Sequence, residues 1–353
     1  MRPIACLLTA LLLAPPTSAQ EEAAAPAAGA VSVAVERGVA TLVEAQRDDG
    51  AFTAGRRYEV ALTGLATIAL VSSGHLPDDP TPEGEAVRKA LDFILLGEHQ
   101  TAEGYFGQSD NSRMYGHGIV TLLLGECAGM GGDAARDALI RERLERGVDL
   151  ILRSQATDKM PIAQGGWRYQ PSDPDADLSI TVWQVLALRS AQSAGVEVPA
   201  SAIDEAVAYL DRSFAASEDE AAAGQGRFGY RPNAPQSQYT FSTTAAGLLA
   251  MQVCGRYDAP SVEAAAAYLA ENGPDPRERW FYYGTYYYSH GMSQRGGDVA
   301  DAAAAETRRI LLSVQRDDGS WGGAGAESDR VYATSLALLS LTVENHYLPI
   351  YQR

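Results

Sequence analysis

Apolar and polar residues divide the chain into two kinds of segment that alternate from end to end. Segments such as Glu85 to Gln100 and Ala135 to Gln155 mix charged and apolar residues at helical spacing. That spacing predicts a helix with one wet face and one buried face. The segments between them carry almost no charge: residues 60–74, 115–129, 178–188, 239–253 and 331–343. Since a helix that is apolar all round is buried on all sides, the alternation predicts an outer and an inner layer of helices.

A turn motif separates these segments: glutamine, three residues, glycine, one residue and an aromatic. Full copies are Gln46-Gly50-Phe52, Gln100-Gly104-Phe106 and Gln315-Gly319-Trp321. Partial copies keep the aromatic residue, at Trp167, Phe228 and Trp280. The six aromatics recur about every 40–60 residues, the period of a helical hairpin. A glycine just past a helix end supplies the positive φ that stops the helix, and we expect the aromatic to fill the seam between hairpins. The sequence therefore predicts an all-α fold, an α6/α6 toroid of six helical hairpins in an inner and an outer ring, with no strands.

The first and last copies of the motif are nearly identical heptapeptides, QRDDGAF at residues 46–52 and QRDDGSW at residues 315–321. Aspartates are good turn formers, so we interpret these acids as solvent-exposed turn residues. Because the two copies belong to the first and last repeats, we expect them to lie near each other where the ring closes.

The chain begins with features of a secretory signal. A positive charge at Arg2, an apolar run from Ile4 to Ala14 and small residues before Gln20 predict a signal peptide over residues 1–19. Residues 20–30, rich in alanine and glutamate, indicate a disordered leader. Residues 31–353 then form a single toroid domain, exported to the periplasm or secreted.

The net charge and the cysteine content exclude several classes of partner and cofactor. A net charge of -17 disfavours nucleic acid and anionic membrane surfaces as partners. No segment after the signal is long and apolar enough to span a bilayer. Cys127 and Cys254 lie in apolar helical stretches and resemble small buried hydrophobes. No CxxC or HExxH spacing is present, so we predict no metal and no cofactor.

The Gln-x3-Gly-x-aromatic pattern resembles the QW motif of squalene-hopene cyclases and related terpenoid cyclases. The six hairpins resemble the prenyltransferase and squalene-cyclase repeat toroid, which protein prenyltransferase β subunits share, over about Val31 to Tyr351. The stretch from Gly165 to Ala191 and the chain end from Tyr332 are similar to exported bacterial toroid proteins of undefined function. This resemblance implies the fold; the motif itself is structural and implies no activity.

Inner helices of such a toroid run parallel, so their N-terminal ends converge on one mouth. The segments that open them are rich in aromatic and polar residues, as in a ligand site. Arg113, Asp177 and Arg330 lie at or beside three of these helix starts. We predict ligand-binding residues at the mouth: Tyr115, His117, Trp183, Tyr239, Phe241, Tyr286, Tyr287, His290 and Tyr332.

Asp175 and Asp177 are the candidate catalytic residues. Class II terpenoid cyclases protonate an alkene with the middle aspartate of a DxDD motif, and the resemblance carries that acid onto Asp177, with Asp175 beside it. Leu178 stands where the family has a further aspartate, and one helical domain is present where these cyclases commonly pair two. The alternative interpretation is a loop that ends in a helix N-cap, where acids are favoured.

Three functions stay open at this point. The first is a toroid that binds a hydrophobic, glycan or peptide ligand, or a protein segment, without established catalysis. The second is a terpenoid cyclase- or prenyltransferase-like enzyme with Asp177 as general acid. The third is a carbohydrate-active enzyme. A zinc set like that of protein prenyltransferases would need Cys254, Asp258 and His290, but Cys254 lies at the far end of its helix from the mouth.

Overall fold

The computed structural model describes residues 28–53, 55–215, 226–323 and 327–352. Within them the chain forms twelve α-helices that alternate between an outer and an inner ring. The predicted signal peptide lies outside the described residues. The first helix begins at Ala28, so residues 28–30, assigned above to a disordered leader, are helical.

Six helices form each ring. The outer helices are α1 (Ala28–Ala45), α3 (Pro82–Ile94), α5 (Ala134–Gln155), α7 (Ala200–Ser213), α9 (Pro260–Glu271) and α11 (Gly297–Val314). The inner helices are α2 (Glu59–Ser72), α4 (Arg113–Glu126), α6 (Leu178–Ser193), α8 (Phe241–Val253), α10 (Phe281–Ser293) and α12 (Arg330–Leu341). Each inner helix packs against the next one, and α12 packs against α2 to close the ring. The predicted α6/α6 toroid is confirmed.

Burial separates the two rings as the charge pattern predicts. Every residue of α8 is buried, and so is every residue of α2 after Glu59. In contrast, α5 buries one stripe that includes Ile140, Leu144 and Ile151 and exposes its other faces. The inner helices therefore form the core, and the outer helices cover it with a charged surface.

One small sheet departs from the prediction of no strands. β1 (Phe214–Ala215) pairs antiparallel with β2 (Arg227–Phe228), and the rings of Phe214 and Phe228 lie 5.1 Å apart. This short pairing joins the end of α7 to the fourth turn, where the sequence has Ala222 at the position of the turn glutamine.

The glutamine of each full turn links its own turn to the next repeat. Gln46 Nε2 donates hydrogen bonds to the Gly50 carbonyl at 3.0 Å and to the Ala86 carbonyl of α3 at 2.8 Å. Gly50 has a φ of 96°, and a Cβ there would lie 2.3 Å from the Lys89 carbonyl oxygen. The other glutamines, Gln100, Gln155 and Gln315, make the same pair of bonds. One side chain therefore fixes both the turn and the spacing between hairpins.

The turn aromatics fill the seams and are anchored on the following inner helix. The backbone N–H of Trp167 donates to Thr181 Oγ1 at 3.1 Å, and its indole N–H donates to the Ile151 carbonyl at 2.9 Å. Trp321 makes equivalent bonds to Thr334 and Leu311. Trp280 is the exception: it is 40% exposed and stands just before α10, so it does not fill a seam as expected.

The last turn lies against the first helix. Gln315 Nε2 donates to the Ala34 carbonyl at 2.9 Å, and Thr41 Oγ1 donates to the Asp318 carbonyl at 2.8 Å. Arg37 donates to the carbonyl of Asp317 at 2.6 Å. Helix α1 thus packs along the last heptapeptide. The first heptapeptide follows directly after the C-terminal residue of the same helix.

Candidate functional site

Buried carboxylates cap the inner helices where they converge. Asp177 is the N-cap of α6 and accepts from the Ile180 N–H at 3.0 Å. Asp110, which precedes α4, accepts from two N–H groups of the neighbouring α2 at 2.9 and 3.2 Å. Glu327, which precedes α12, likewise accepts from the first N–H groups of α10, both at 2.9 Å. These cross-repeat caps satisfy free helix donors and lock the mouth together.

Asp177 is fully buried, and donors occupy both of its oxygens. Oδ1 accepts from the Ser179 hydroxyl at 2.6 Å as well as from Ile180, and Oδ2 accepts from Arg168 Nη1 at 2.6 Å. Burial raises the pKa of the Asp177 carboxyl, whereas the bonds from Ser179, Arg168 and Ile180 lower it. Three protein donors therefore already use this carboxylate as an acceptor. The N-cap interpretation of this residue is therefore the one its geometry supports, although the cap is buried instead of solvent-exposed.

Arg168 stands between Asp175 and Asp177. Asp175 Oδ2 lies 4.0 Å from Arg168 Nε and 3.4 Å from Arg231 Nη1, and its side chain is 28% exposed. The Arg168 guanidinium favours the ionised form of Asp177, but burial is the larger effect, and the pKa of the Asp177 carboxyl lies above its ordinary value. The two carboxylates therefore contact Arg168 and not each other.

The Arg168 guanidinium is the centre of an aromatic cluster at the mouth. It lies 4.4 Å from the ring centroid of Tyr169 and 5.7 Å from that of Tyr230, and Nη1 donates to the Tyr230 hydroxyl at 3.2 Å. The Tyr169 and Tyr230 hydroxyls are 2.7 Å apart. All three side chains are half-buried. We call Arg168, Tyr169 and Tyr230 the arginine–tyrosine cluster.

None of the three residues of this cluster is among the site residues that the sequence pattern predicts. Its signal is the spacing Trp167-Arg168-Tyr169 and Phe228-Gly229-Tyr230, which places a tyrosine two residues after a seam aromatic in two adjacent repeats. Because both aromatics are fixed in their seams, the residues that follow them project to the same part of the mouth.

Three half-buried tyrosines form the floor of the mouth. Tyr115, Tyr283 and Tyr332 are each the third residue of an inner helix. The Tyr115 hydroxyl bonds to Ser179 Oγ at 2.6 Å, and the Tyr283 hydroxyl donates to the Ser179 carbonyl at 3.3 Å. Burial raises the pKa of all three phenols well above the ordinary value, so they stay neutral. Of the predicted ligand residues, Tyr115 and Tyr332 therefore lie at the mouth.

Below the floor, the toroid axis is packed with aromatic rings. Trp183 stacks on Tyr286 at a centroid distance of 5.8 Å and meets Tyr287 edge-on at 5.9 Å. Tyr287 also lies 4.7 Å from Tyr283 of the floor. The predicted cavity-lining rings of Trp183, Tyr286 and Tyr287 thus contact one another and are almost fully buried.

The predicted mouth position of Tyr286, Tyr287 and His290 is wrong. Helix α10 begins at Phe281, so His290 is its tenth residue and lies roughly 14 Å from the start of the helix. Tyr283, Tyr286, Tyr287 and His290 share one face of α10, which turns toward the axis and carries a column of rings from the mouth to the opposite end.

The remaining predicted ligand residues pack between helices. His117 Nδ1 accepts from the Phe106 N–H at 3.3 Å, and its Nε2 donates to the Gly147 carbonyl at 3.1 Å. It takes the position that a threonine has in other repeats, and burial lowers its pKa to about 4. Phe241 lies against Tyr288 with ring centroids 5.5 Å apart, and Tyr239 is half-buried beside Gly229.

A cavity of about 220 Å³ opens at the rim of the mouth beside Asp175. Met160 and Ile162 line it, with exposed fractions of 45% and 39%. Arg231 and Asn233 complete its polar side, and Asn233 has a φ of 56°. Non-glycine residues with positive φ often mark functional loops. The rim therefore joins an apolar patch to the Asp175–Arg231 pair and, through Arg168, to the arginine–tyrosine cluster.

Cys127 and Cys254 are both free, and burial raises the pKa of each thiol to about 12. Among the residues that the structure describes, no three histidine, cysteine, aspartate or glutamate side chains lie together as a metal site would require. Within the same residues, no helix has the length and apolar character needed to cross a membrane.

Comparisons with known proteins agree with the architecture. No protein-family model and no curated protein matches the sequence. Among solved structures, the chain is similar to the type II terpene cyclase MstE from Scytonema, with 16% identity, 91% of this chain and 100% of that chain covered, and a TM-score of 0.57. It is similar to a protein from Actinoplanes, with 17% identity, coverage of 89% and 99%, and a TM-score of 0.58. It is also similar to an alpha-1,6-mannanase from Salegentibacter, with 8% identity, coverage of 89% and 99%, and a TM-score of 0.63.

These identities establish the fold alone. The chain has the terpenoid cyclase-like α/α toroid fold that the glutamine turns predict. The same fold carries a terpene cyclase and a glycosidase, so the choice between functions depends on the residues at the mouth.

Proposed function

We propose that this protein binds a carbohydrate at the mouth of the toroid and does not act as a terpenoid cyclase. The observation that supports this is the arginine–tyrosine cluster, in which two phenol rings and a guanidinium are held half-exposed above the buried carboxylate of Asp177. Arginine side chains lie over part of both rings, and the tyrosine surface that they leave uncovered can contact the apolar face of a sugar. The hydroxyls and the guanidinium offer hydrogen bonds to the sugar oxygens.

The cluster is rigid before any ligand arrives. Arg168 bonds to Asp177, Tyr230 bonds to Arg168, and Tyr169 bonds to Tyr230, so each polar group already has a fixed direction. Pre-organised groups reduce the entropy that binding costs. The rim cavity beside Asp175 extends this surface and offers space for a neighbouring sugar unit or substituent.

The packed axis argues against an isoprenoid ligand. A long hydrocarbon inside the toroid would have to displace Trp183, Tyr286 and Tyr287, which contact one another and are buried. A general acid at Asp177 would also need a proton where Ser179, Ile180 and Arg168 already donate. A mannanase of this fold was solved in complex with alpha-1,6-mannotetrose, which supports a sugar at this architecture. Residues 1–19 support export, which would bring the protein to extracellular glycans.

The test is native mass spectrometry of the purified chain against a mixture of soluble oligosaccharides and, separately, geranylgeraniol. We expect the wild-type chain to retain an oligosaccharide and no prenyl alcohol. Tyr230→Ala should weaken that binding at least tenfold, since it removes one ring and one partner of Arg168. Tyr347→Ala is the matched control, because Tyr347 is 55% exposed at the other end of the toroid. Retention of geranylgeraniol, unchanged by Tyr230→Ala, would refute the proposal.

A further inference from the structure

The segment after the last inner helix closes the toroid at the end opposite the mouth. Helix α12 ends at Leu341, and short 3-10 turns follow at Val343–Asn345 and Pro349–Tyr351. Leu348, Ile350 and Tyr351 are buried there. We call residues 343–352 the tail. The ring of inner helices already closes through α12 and α2, so the tail is an addition to the ring and not part of it.

Tyr351 inserts its phenol ring into the axis. Its hydroxyl bonds to the hydroxyl of Tyr286, and its ring lies 4.0 Å from the imidazole of His290, tilted by 33°. Tyr286 in turn stacks on Trp183. The side chain of Tyr351 thus completes the column of rings that begins at the mouth.

The groups around this phenol are polar and poorly matched to a purely structural plug. Glu126 is buried, forms no ion pair among the described residues, and accepts from the Ile350 N–H at 3.3 Å and from the Ser190 hydroxyl. Neither nitrogen of His290 forms a hydrogen bond of normal geometry. Burial lowers the pKa of His290 to about 3, an effect that the nearby Leu339 carbonyl offsets only in part. Burying a carboxyl and an imidazole with so few partners is costly, and apolar residues would fill the same space more favourably.

Buried Leu348, Ile350 and Tyr351 pack the tail against the core, and few polar contacts add to them. Apart from the Glu126 and Tyr286 bonds, the anchors include an exposed ion pair between Arg308 and Glu344 and a 3.4 Å bond from Asn345 to the Ser72 carbonyl. An exposed ion pair contributes little. Tyr347 lies mostly in solvent, and His346 has a φ of 53°. Detachment of the tail would therefore leave both rings and their glutamine turns intact.

We propose that the space occupied by Tyr351 is a binding site for a phenolic ligand, held in the resting chain by the Tyr351 side chain itself. A free phenol would stack on His290, bond to the Tyr286 hydroxyl and displace the tail from Glu126. The site takes an aromatic ring with one hydroxyl, because that is what Tyr351 presents to it. This proposal is independent of the carbohydrate site, which lies at the other end of the axis.

The experiment uses the full chain and p-cresol, the side chain of tyrosine, as the probe. In Tyr351→Ala, p-cresol should bind and raise the thermal unfolding midpoint, as small aromatics do in engineered cavities. Toluene should bind at least tenfold more weakly, since it leaves the Tyr286 hydroxyl without its partner. Tyr347→Ala should gain no p-cresol binding. Absence of p-cresol binding to folded Tyr351→Ala would overturn the proposal.

Displacement is tested on the wild-type chain by hydrogen exchange. Saturating p-cresol should accelerate amide exchange at residues 348–352 and leave exchange in α12 unchanged. In Tyr351→Phe, which keeps the ring but loses the bond to Tyr286, p-cresol should displace the tail at a several-fold lower concentration. This variant also serves if Tyr351→Ala does not fold. Binding of p-cresol that leaves exchange at residues 348–352 unaltered would refute displacement of the tail.

Discussion

The two ends of the inner ring each hold a buried carboxyl group, but they surround it with different partners. At the mouth, Asp177 accepts from Arg168 and from two neutral donors, Ser179 and Ile180, and half-buried tyrosines lie around it. At the tail end, Glu126 has two neutral donors, and the tail covers it. Burial raises the pKa of Glu126 to about 7. One fold thus holds a buried carboxyl paired with a cation at its open end and, within the described residues, a buried carboxyl without a cation at its closed end.

The difference follows from the partners of each carboxyl. Arg168 and the neutral donors around Asp177 hold the polar groups of the mouth in one direction. Burying the Glu126 carboxyl without a cation costs free energy. The tail supplies one of its two hydrogen-bond donors, the Ile350 N–H.

Replacing Asp177 with alanine should have the largest effect on stability. It removes the α6 N-cap and leaves Arg168, whose side chain is 19% exposed, without its main partner. Breaking one side of a buried pair costs about 3–5 kcal/mol in free energy of unfolding. Urea denaturation measures this directly.

Two companion variants separate the cap from the charge. Asp177→Asn keeps an N-cap side chain and should lose only about 2 kcal/mol. Asp175→Ala, whose partner Arg231 is 43% exposed, should lose at most about 1 kcal/mol. Equal losses of unfolding free energy for Asp177→Ala and Asp175→Ala would mean that the buried Asp177 contributes no more to stability than the partly exposed Asp175.

Glu126→Gln should change the pH dependence of stability at the tail end. The folded pKa of about 7 lies above the ordinary value of 4.5, so the native state binds more protons than the unfolded state between these pH values. The Glu126 contribution therefore favours the fold at pH 4.5 and is lost as the pH rises through 7, by about 3 kcal/mol at most.

The measurement is the difference between the wild-type and Glu126→Gln profiles of unfolding free energy from pH 4.5 to 8. Taking the difference removes the common effect of His117 and His290, whose lowered pKa values act in the opposite direction. Parallel profiles would show that Glu126 is ionised throughout and that the contrast between the two ends is not real.

Gln100→Ala should loosen the mouth end specifically. Its side chain is 4% exposed and donates to the carbonyls of Gly104 and Arg143, which would lose their partner. We expect a loss of about 2 kcal/mol and faster amide exchange in the turn after α3. Gln315→Ala should cost less, because that glutamine is half-buried and water can replace part of its bonds. Faster exchange in the tail than in the turn would contradict this account.

The smallest effect is expected for the acids of the two heptapeptides. Asp48 and Asp317 are exposed, and the prediction that they are wet turn residues holds for both side chains. Asp48→Asn and Asp317→Asn should each change the unfolding free energy by no more than about 0.5 kcal/mol. A larger change in thermal unfolding would mean that these acids contribute to ring closure.

The two rings of helices could be predicted from the sequence because buried helices lack charged residues. An inner helix such as α8 has no charged residue, and its start beside Thr240 follows from capping chemistry. The same reasoning identified Asp177 as a possible N-cap. It did not single out Arg168 or Tyr230, since two separate loops bring them together, and a tyrosine two residues after a seam aromatic does not by itself show that the loops meet.

The position of the α10 side chains along the toroid axis was also predicted incorrectly. No capping residue marks the start of α10, which follows the sequence ERW, so the run of tyrosines gave no reference point for His290. The insertion of Tyr351 into the axis could not be predicted either, because residues 343–352 show no helical spacing of apolar residues. Both errors concern where a side chain lies, which depends on tertiary packing and not on local pattern.

The bond from Gln315 to Ala34 has a consequence for how the molecule comes apart. Open repeat proteins fray from their terminal units, which lack a neighbour on one side and need special capping repeats. Here the last repeat serves as the neighbour of the first, so no unit is terminal. Loss of α1 would expose the last turn and α12 together, and unfolding should spread around the circle in one cooperative step.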